Sequence, residues 1–186
     1  MELIEALTNR RSVRSYTSKK VDNTIIQELL QAAVQAPSAM NAQPWAFAII
    51  QDNVLLKEYS DQAKRLLLTS INKTPELSKY KPLFENPDFN IFYNAQSLIL
   101  IFAKNEGLHS AEDCCLAAQN LMLTAHSLGL GTCWIGFARP YFNLPEVQTQ
   151  LGIPSGYEVV APIIIGYPQI NPPAALKKDP EILFWK

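Results

Sequence analysis

The 186-residue chain predicts an α+β fold, because helix-period and strand-like segments mix without the regular alternation that a parallel sheet needs. Its strand-like segments are short apolar runs, 98–103 and 159–165, too short for the roughly 20 residues of a membrane helix. Segment 110–128 is helical in length and apolar nearly all round, the pattern of a helix buried on every side. In a chain of this size such a helix suits a subunit interface as well as a core.

Residues 2–9 place Leu3, Ile4 and Leu7 at helical spacing. A second helix, capped by Asp22 or Asn23, runs to about Gln35 with Ile25, Ile26, Leu29, Leu30 and Ala33 as its apolar face. Residues 37–45 form a loop, since prolines at both borders exclude a helix and small polar groups fill the middle. Trp45 and Gln43 are read as pins holding that loop to the next strand, 45–50, which is expected to be central. A helix over 54–69 leads to an irregular stretch, 70–88, where Pro75, Pro82 and Pro87 mark a candidate lid. The strand at 97–103 precedes the helix 110–128, whose Glu112 and Asp113 suit the positive end of the helix dipole and whose His126 suits its carbonyl end. Gly129 and Gly131 end that helix and open a strand. A short helix near 144–151 and a strand at 157–165 follow, with a bulge expected at Pro162 because proline is awkward inside a sheet. The tail, 170–186, ends in the exposed apolar run Ile182-Leu183-Phe184-Trp185, which needs a surface to cover.

Composition sets limits. A hydrophobic content of 48% suits one globular domain spanning 1–186. Sixteen basic and seventeen acidic residues give a net charge of −1, so no overall field favours nucleic acid or an anionic membrane. Glu2 and Glu5 interrupt any signal peptide, which makes a cytoplasmic protein the expectation. Cys114, Cys115 and Cys133 fit no metal spacing and are expected to be reduced thiols.

Three segments carry chemistry. Arg10-Arg11-Ser12-Val13-Arg14 puts three guanidiniums within five residues, a fork of donors suited to phosphate. Pro37-Ser38-Ala39-Met40-Asn41-Ala42-Gln43-Pro44-Trp45 brings backbone close to a flat ligand, and Gly129-Leu130-Gly131-Thr132-Cys133-Trp134-Ile135-Gly136 ends where backbone N–H groups become available. No GxGxxG, GxxxxGK[ST] or GxSxG is present, and His109 and His126 are isolated, so dinucleotide, P-loop and triad chemistries are not supported.

With Ile163-Ile164-Ile165-Gly166-Tyr167-Pro168, these segments resemble in order and spacing the nitroreductase family of FMN-dependent flavoproteins. The resemblance implies a three-layer α/β/α sandwich with a central, mostly antiparallel sheet, assembled as a homodimer with flavin sites at the interface. It implies FMN as cofactor, NADH or NADPH as reductant, and a nitroaromatic or quinone as acceptor, with flavin N5 as the transfer point. Arg10 and Ser12 then match phosphate-gripping positions, with Arg11 beside them, and Arg14 matches the position at the pyrimidine edge of the ring. Pro37, Ser38, Ala39 and Asn41 match a loop contributed by the other subunit. Cys133, Trp134, Ile135 and Gly136 match the segment against one ring face, with the N–H groups of Ile135 and Gly136 directed to N5 and O4. Relatives carry an arginine after the Gly-Tyr-Pro turn; here Lys177 and Lys178 are the candidates for that phosphate contact, or else a solvated pair. The tail is expected to wrap the partner subunit. No protein residue need serve as nucleophile or base. The same scaffold resembles flavin-dependent dehalogenases and oxidases, and a non-catalytic FMN-binding or redox-sensing protein is the other alternative.

Overall fold

The computed structural model describes residues 1–105 and 107–186. Four strands, β1 (Trp45–Ile50), β2 (Ser97–Lys104), β3 (Gly131–Trp134) and β4 (Tyr157–Gly166), form one sheet in the order β1-β2-β4-β3, and every neighbouring pair is antiparallel. Strand β1 therefore lies at an edge, not at the centre as its apolar sequence suggested. The central strands are β2 and β4, which are buried almost end to end, whereas β1 is mostly half-buried and Ile49 is 41% exposed.

Alternation along β2 divides the interior into two cores. Ile99, Ile101 and Ala103 face the first, together with helical residues such as Leu29 and Leu121, while Leu98, Leu100 and Phe102 face the second. Helix α1 (Leu3–Asn9) is followed by α2 (Asn23–Ala33), whose Ile26, Leu29 and Ala33 are buried; Asp22 stands at its cap position without a side-chain bond. Helix α3 (Asn53–Ser70) starts where Asp52 accepts the N–H groups of Val54 and Leu55 at 2.8 and 3.1 Å.

Beyond α3 the candidate lid is helical where irregularity was expected. Two 3-10 turns, Ile71–Lys73 and Pro75–Tyr80, lead into α4 (Lys81–Glu85). Pro75 and Pro82 sit in first turns, where the missing N–H costs nothing, so they start helices instead of breaking them. Buried Lys64 of α3 donates to the carbonyls of Asn86 and Phe89 at 3.1 and 2.7 Å and ties the end of this stretch to the body.

Helix α5 (Ser110–Ser127) is buried on one side only, a correction to the expectation of burial all round. Cys114, Ala117, Ala118, Leu121, Met122 and Ala125 face the sheet at three- and four-residue spacing, while Cys115 and Leu116 are exposed. Short helices α6 (Arg139–Phe142) and α7 (Pro145–Gln150) cover the second core together with α3. Helices on both faces of an antiparallel sheet make the three-layer α/β/α sandwich expected from the sequence.

The bulge falls near Pro162 but not on it: Ile101 pairs Ala161 and Phe102 pairs Val159, so Val160 is the extra residue. No helix among the described residues is long and apolar enough to cross a membrane.

Candidate functional site

Residues 10–17 pass the open edge of β3 at Ser12 and Val13 and then lie against residues 167–169, just beyond β4. The Val13 N–H donates to the Thr132 carbonyl at 2.9 Å and that of Thr17 to the Tyr167 carbonyl at 2.9 Å. Two glycines permit this approach: a Cβ on Gly131 would stand 2.7 Å from the Val13 side chain, and one on Gly166 would stand 2.8 Å from the Tyr16 ring. Tyr16 is buried and its hydroxyl donates to the Val13 carbonyl at 2.7 Å; burial pushes its pKa far up, so it stays a donor. Side chains alternate along an extended segment, so inward-facing Val13 places Ser12 and Arg14 on the opposite face. Arg11 turns back, and its Nη1 donates to the carbonyls of Thr8 and Arg10 at 2.7 and 2.8 Å, closing the end of α1.

A cavity of about 380 Å³ opens beside Arg14 and the end of β3, lined by Cys133, Trp134, Ile135, Gly136, Phe137 and Tyr93 among others. Pro162 shapes it. Within the β3–β4 pair the Ile135 N–H donates to the Pro162 carbonyl at 2.8 Å. Proline has no N–H to return, so the Ile135 carbonyl accepts from Ala138 at 3.0 Å and the chain leaves the sheet in the turn Gly136–Ala138. The Ile135 N–H is thus spent inside the sheet and is not a ligand donor, contrary to the sequence reading. The Gly136 N–H, first in its turn, has no intrahelical acceptor, and a Cβ there would meet nothing within 4 Å.

Tyr80 and Phe137 wall this cavity on the lid side, with buried Phe84 packed behind them and the Phe137 ring 5.0 Å edge-on from each of Tyr80 and Phe84. Arg14 is the one charged side chain lining it among the described residues. Its guanidinium stands 5.9 Å from the Tyr93 ring centroid. Tyr93 and the next residue, Asn94, both hold left-handed backbone, with φ of 52° and 56°. Non-glycine residues there cost on the order of 1–3 kcal/mol each, a strain that concentrates at ligand sites. Tyr93 had no motif to announce it. Burial raises the Cys133 thiol pKa against the pull of Arg14, which favours the neutral thiol, and its Sγ lies 3.8 Å from the Trp134 carbonyl.

Arg10 and Arg11 line a second cavity, also about 380 Å³, with His126, Thr132, Asn171 and Pro172. Among the described residues His126 makes no capping bond: its Nε2 is buried and finds no partner there, and neither does Arg11 Nε. Burial, then Arg10 and Arg11, hold the His126 pKa below its usual value. The helix closes instead through its backbone, with the Leu130 N–H on the Ala125 carbonyl at 2.8 Å and that of Gly129 on the His126 carbonyl at 3.0 Å. Lys177 and Lys178 are exposed in the tail and line neither cavity.

Pro37, Ser38, Ala39 and Asn41 stand apart from both cavities within one chain. Their loop is strained: Met40, Asn41 and Gln43 hold φ of 52°, 55° and 48°. Its bonds close on itself, with the Asn41 N–H on the Ser38 carbonyl at 3.0 Å, the Gln43 N–H on Ser38 Oγ at 3.0 Å and Gln43 Nε2 on Asn41 Oδ1 at 3.2 Å. Met40 is 99% exposed at its tip, while Trp45 behind it is buried in the first core. Asp113, assigned from sequence to the helix dipole alone, accepts the Ala39 N–H at 3.1 and 3.3 Å.

The Nitroreductase family model matches residues 7–167. An FMN reductase [NAD(P)H] of Bacillus subtilis (strain 168) is 29% identical over 178 residues, 90% of this chain and 66% of that protein. An iodotyrosine deiodinase of Thermotoga neapolitana is 25% identical over 173 residues, 89% of this chain and 88% of that one. The crystal structure of a nitroreductase with bound FMN from Bacteroides fragilis superposes with a TM-score of 0.80 at 27% identity, covering 98% of this chain and 95% of the other. The matched span runs from Leu7, near the end of α1, to Tyr167 and so includes the arginine segment, the loop, both central strands and the β3 exit. The chain belongs to the nitroreductase family.

Proposed function

We propose that the protein is an FMN-dependent oxidoreductase that passes electrons from NADH or NADPH through flavin N5 to nitroaromatic or quinone acceptors. The observation that carries this reading is one cavity with a cation, Arg14, beside the Tyr93 ring, a backbone N–H, that of Gly136, with no acceptor among the described residues, and an empty space at the Gly136 Cα. A flat, polar-edged ring fits that donor set. FMN, when bound, supplies a carrier that accepts hydride and releases electrons to a second substrate.

The chain supplies the rest. Arg14 holds positive charge at the pyrimidine edge, where reduction concentrates negative charge, and so favours the reduced flavin. Gly136 donates from backbone, with no proton to lose. Arg10 and Ser12 hold the phosphate, with Arg11 as a neighbouring charge and Lys177 or Lys178 reaching it from the tail. Cys133, Trp134 and Ile135 back one ring face, and Phe137 with Tyr80 keeps water from the other. Pro37, Ser38, Ala39 and Asn41 complete the site of a second copy. In support, α1 exposes Leu3, Ile4 and Leu7, α5 exposes Leu116, and the tail exposes Leu183, Phe184 and Trp185, more apolar surface than a lone protomer carries comfortably. The tail wraps that partner.

The similarity to a deiodinase, together with the ordered lid carrying Tyr80 to the cavity, favours a dehalogenase-type relative as the second reading. One experiment addresses both. Flavin is released from purified protein by heat and identified by chromatography, and the loaded protein is then mixed anaerobically with NADH or NADPH and offered a panel of nitroaromatics, quinones and halogenated phenols. FMN, bleaching by a nicotinamide and reoxidation by a quinone or nitroaromatic is the expected result. FAD or no flavin overturns the cofactor assignment; reoxidation only by a halogenated phenol favours the second reading; FMN without bleaching marks a non-catalytic flavin binder.

A further inference from the structure

We propose that Asp113 is a positioning residue that sets the 37–41 loop for the flavin of the partner subunit, an inference that rests on the two-chain site described above. Asp113 is 5% exposed and pairs with no cation among the described residues. Its buried neighbours one turn away on α5 are Ser110 and Ala117, neither of which offsets a charge. A desolvated carboxylate is kept only where it meets donors. The donor is the Ala39 N–H, at 3.1 Å from Oδ1 and 3.3 Å from Oδ2.

Among the described residues the other hydrogen bonds of residues 38–43 are internal, so this stretch is a stiff unit whose placement depends on its two chain ends and on this tie to the body. Three left-handed residues give the loop reason to relax once released. The tie also couples the loop to α5, whose outer side carries exposed Cys115 and Leu116. A partner docking on that face meets Ala39, Met40 and Asn41 at a fixed offset.

The test is FMN affinity, read by quenching of free flavin fluorescence in dimeric protein. Asp113→Ala weakens binding by about tenfold to thirtyfold, the loss of one charge-assisted hydrogen bond. Asp113→Asn, which keeps an acceptor at Oδ1, stays within about threefold of wild type. Ala39→Pro removes the donor from the other end without touching α5, and proline is tolerated at the start of a helical turn; it weakens binding similarly, and the double variant is no worse than the weaker single. Additive losses overturn the proposal, as does an Asp113→Asn variant as weak as the alanine variant.

The trans assignment is read by mixing and refolding Arg10→Ala with Asp113→Ala chains. One site of the heterodimer then carries both lesions and the other neither, so one tight FMN per dimer returns. If this pair recovers nothing while Arg10→Ala with Asn41→Ala does, Asp113 does not act through the loop. If neither pair recovers with heterodimer present, the two-chain site fails and the proposal falls with it.

Discussion

Arg10 is the residue at which the phosphate reading is most exposed to test. A charge-assisted hydrogen bond to phosphate contributes on the order of 1.5–3 kcal/mol, so Arg10→Ala is expected to weaken FMN binding by about tenfold to a hundredfold in a flavin titration. Lys57→Ala, on an exposed Lys57–Asp61 pair of α3, serves as control and leaves affinity unchanged. Equal effects would reduce the arginine cluster to a solvated face. His126 yields a second expectation. Its pKa lies below the unfolded value, so the neutral form is favoured by folding, and that contribution is present above the unfolded pKa near 6.5 and lost as pH falls through the folded one. Thermal melts from pH 7.5 to 5 therefore show falling stability, and His126→Gln flattens part of that slope; an unchanged slope contradicts the assignment. The arginine segment and the loop stand out in the sequence as candidates because their residue types announce their chemistry. Asp113 was not, because an acidic residue in a first helical turn already has an explanation and its partner Ala39 is 74 positions away.

The β3 exit shows how an element's boundary becomes a functional feature. Pro162 was recognisable as a misfit within a strand, and the bulge it suggested exists one turn of the pleat away, at Val160. Its larger consequence, the loss of one ladder bond to Ile135 and the release of the chain at Gly136, needed the pairing register. The same applies to β1, whose apolar sequence matches a central strand although only one neighbour pairs with it, and to the lid, where prolines in first turns look in sequence like breaks. Helices α2, α3 and α5 were legible to within a few residues because caps and 3.6-residue periodicity are local signals. Gly131 tests the packing of the arginine segment on β3. With Val13 atoms 2.7 Å from its Cβ position, Gly131→Ala is expected to cost about 1–3 kcal/mol by overpacking a buried, β-branched neighbour. A lowered melting temperature together with weaker FMN retention is the expected pattern; a variant as stable as wild type contradicts the close approach.

At the scale of the molecule, one chain holds the arginines, the β3 exit and the aromatic wall around one pair of cavities, and holds the 37–41 loop elsewhere. The exposed apolar positions of α1, α5 and the tail lie outside both cores, which is the distribution expected of a protomer whose site is finished by its mate. The most direct measurement is complementation. Arg10→Ala and Asn41→Ala proteins, each weak in FMN binding, are mixed, unfolded and refolded together, and tightly bound FMN is counted per isolated heterodimer. The two-chain site predicts one tight flavin per heterodimer, because one interface receives both lesions and the other receives none. No tight flavin in a folded, verified heterodimer would show that the arginines and the loop serve the same site from the same chain.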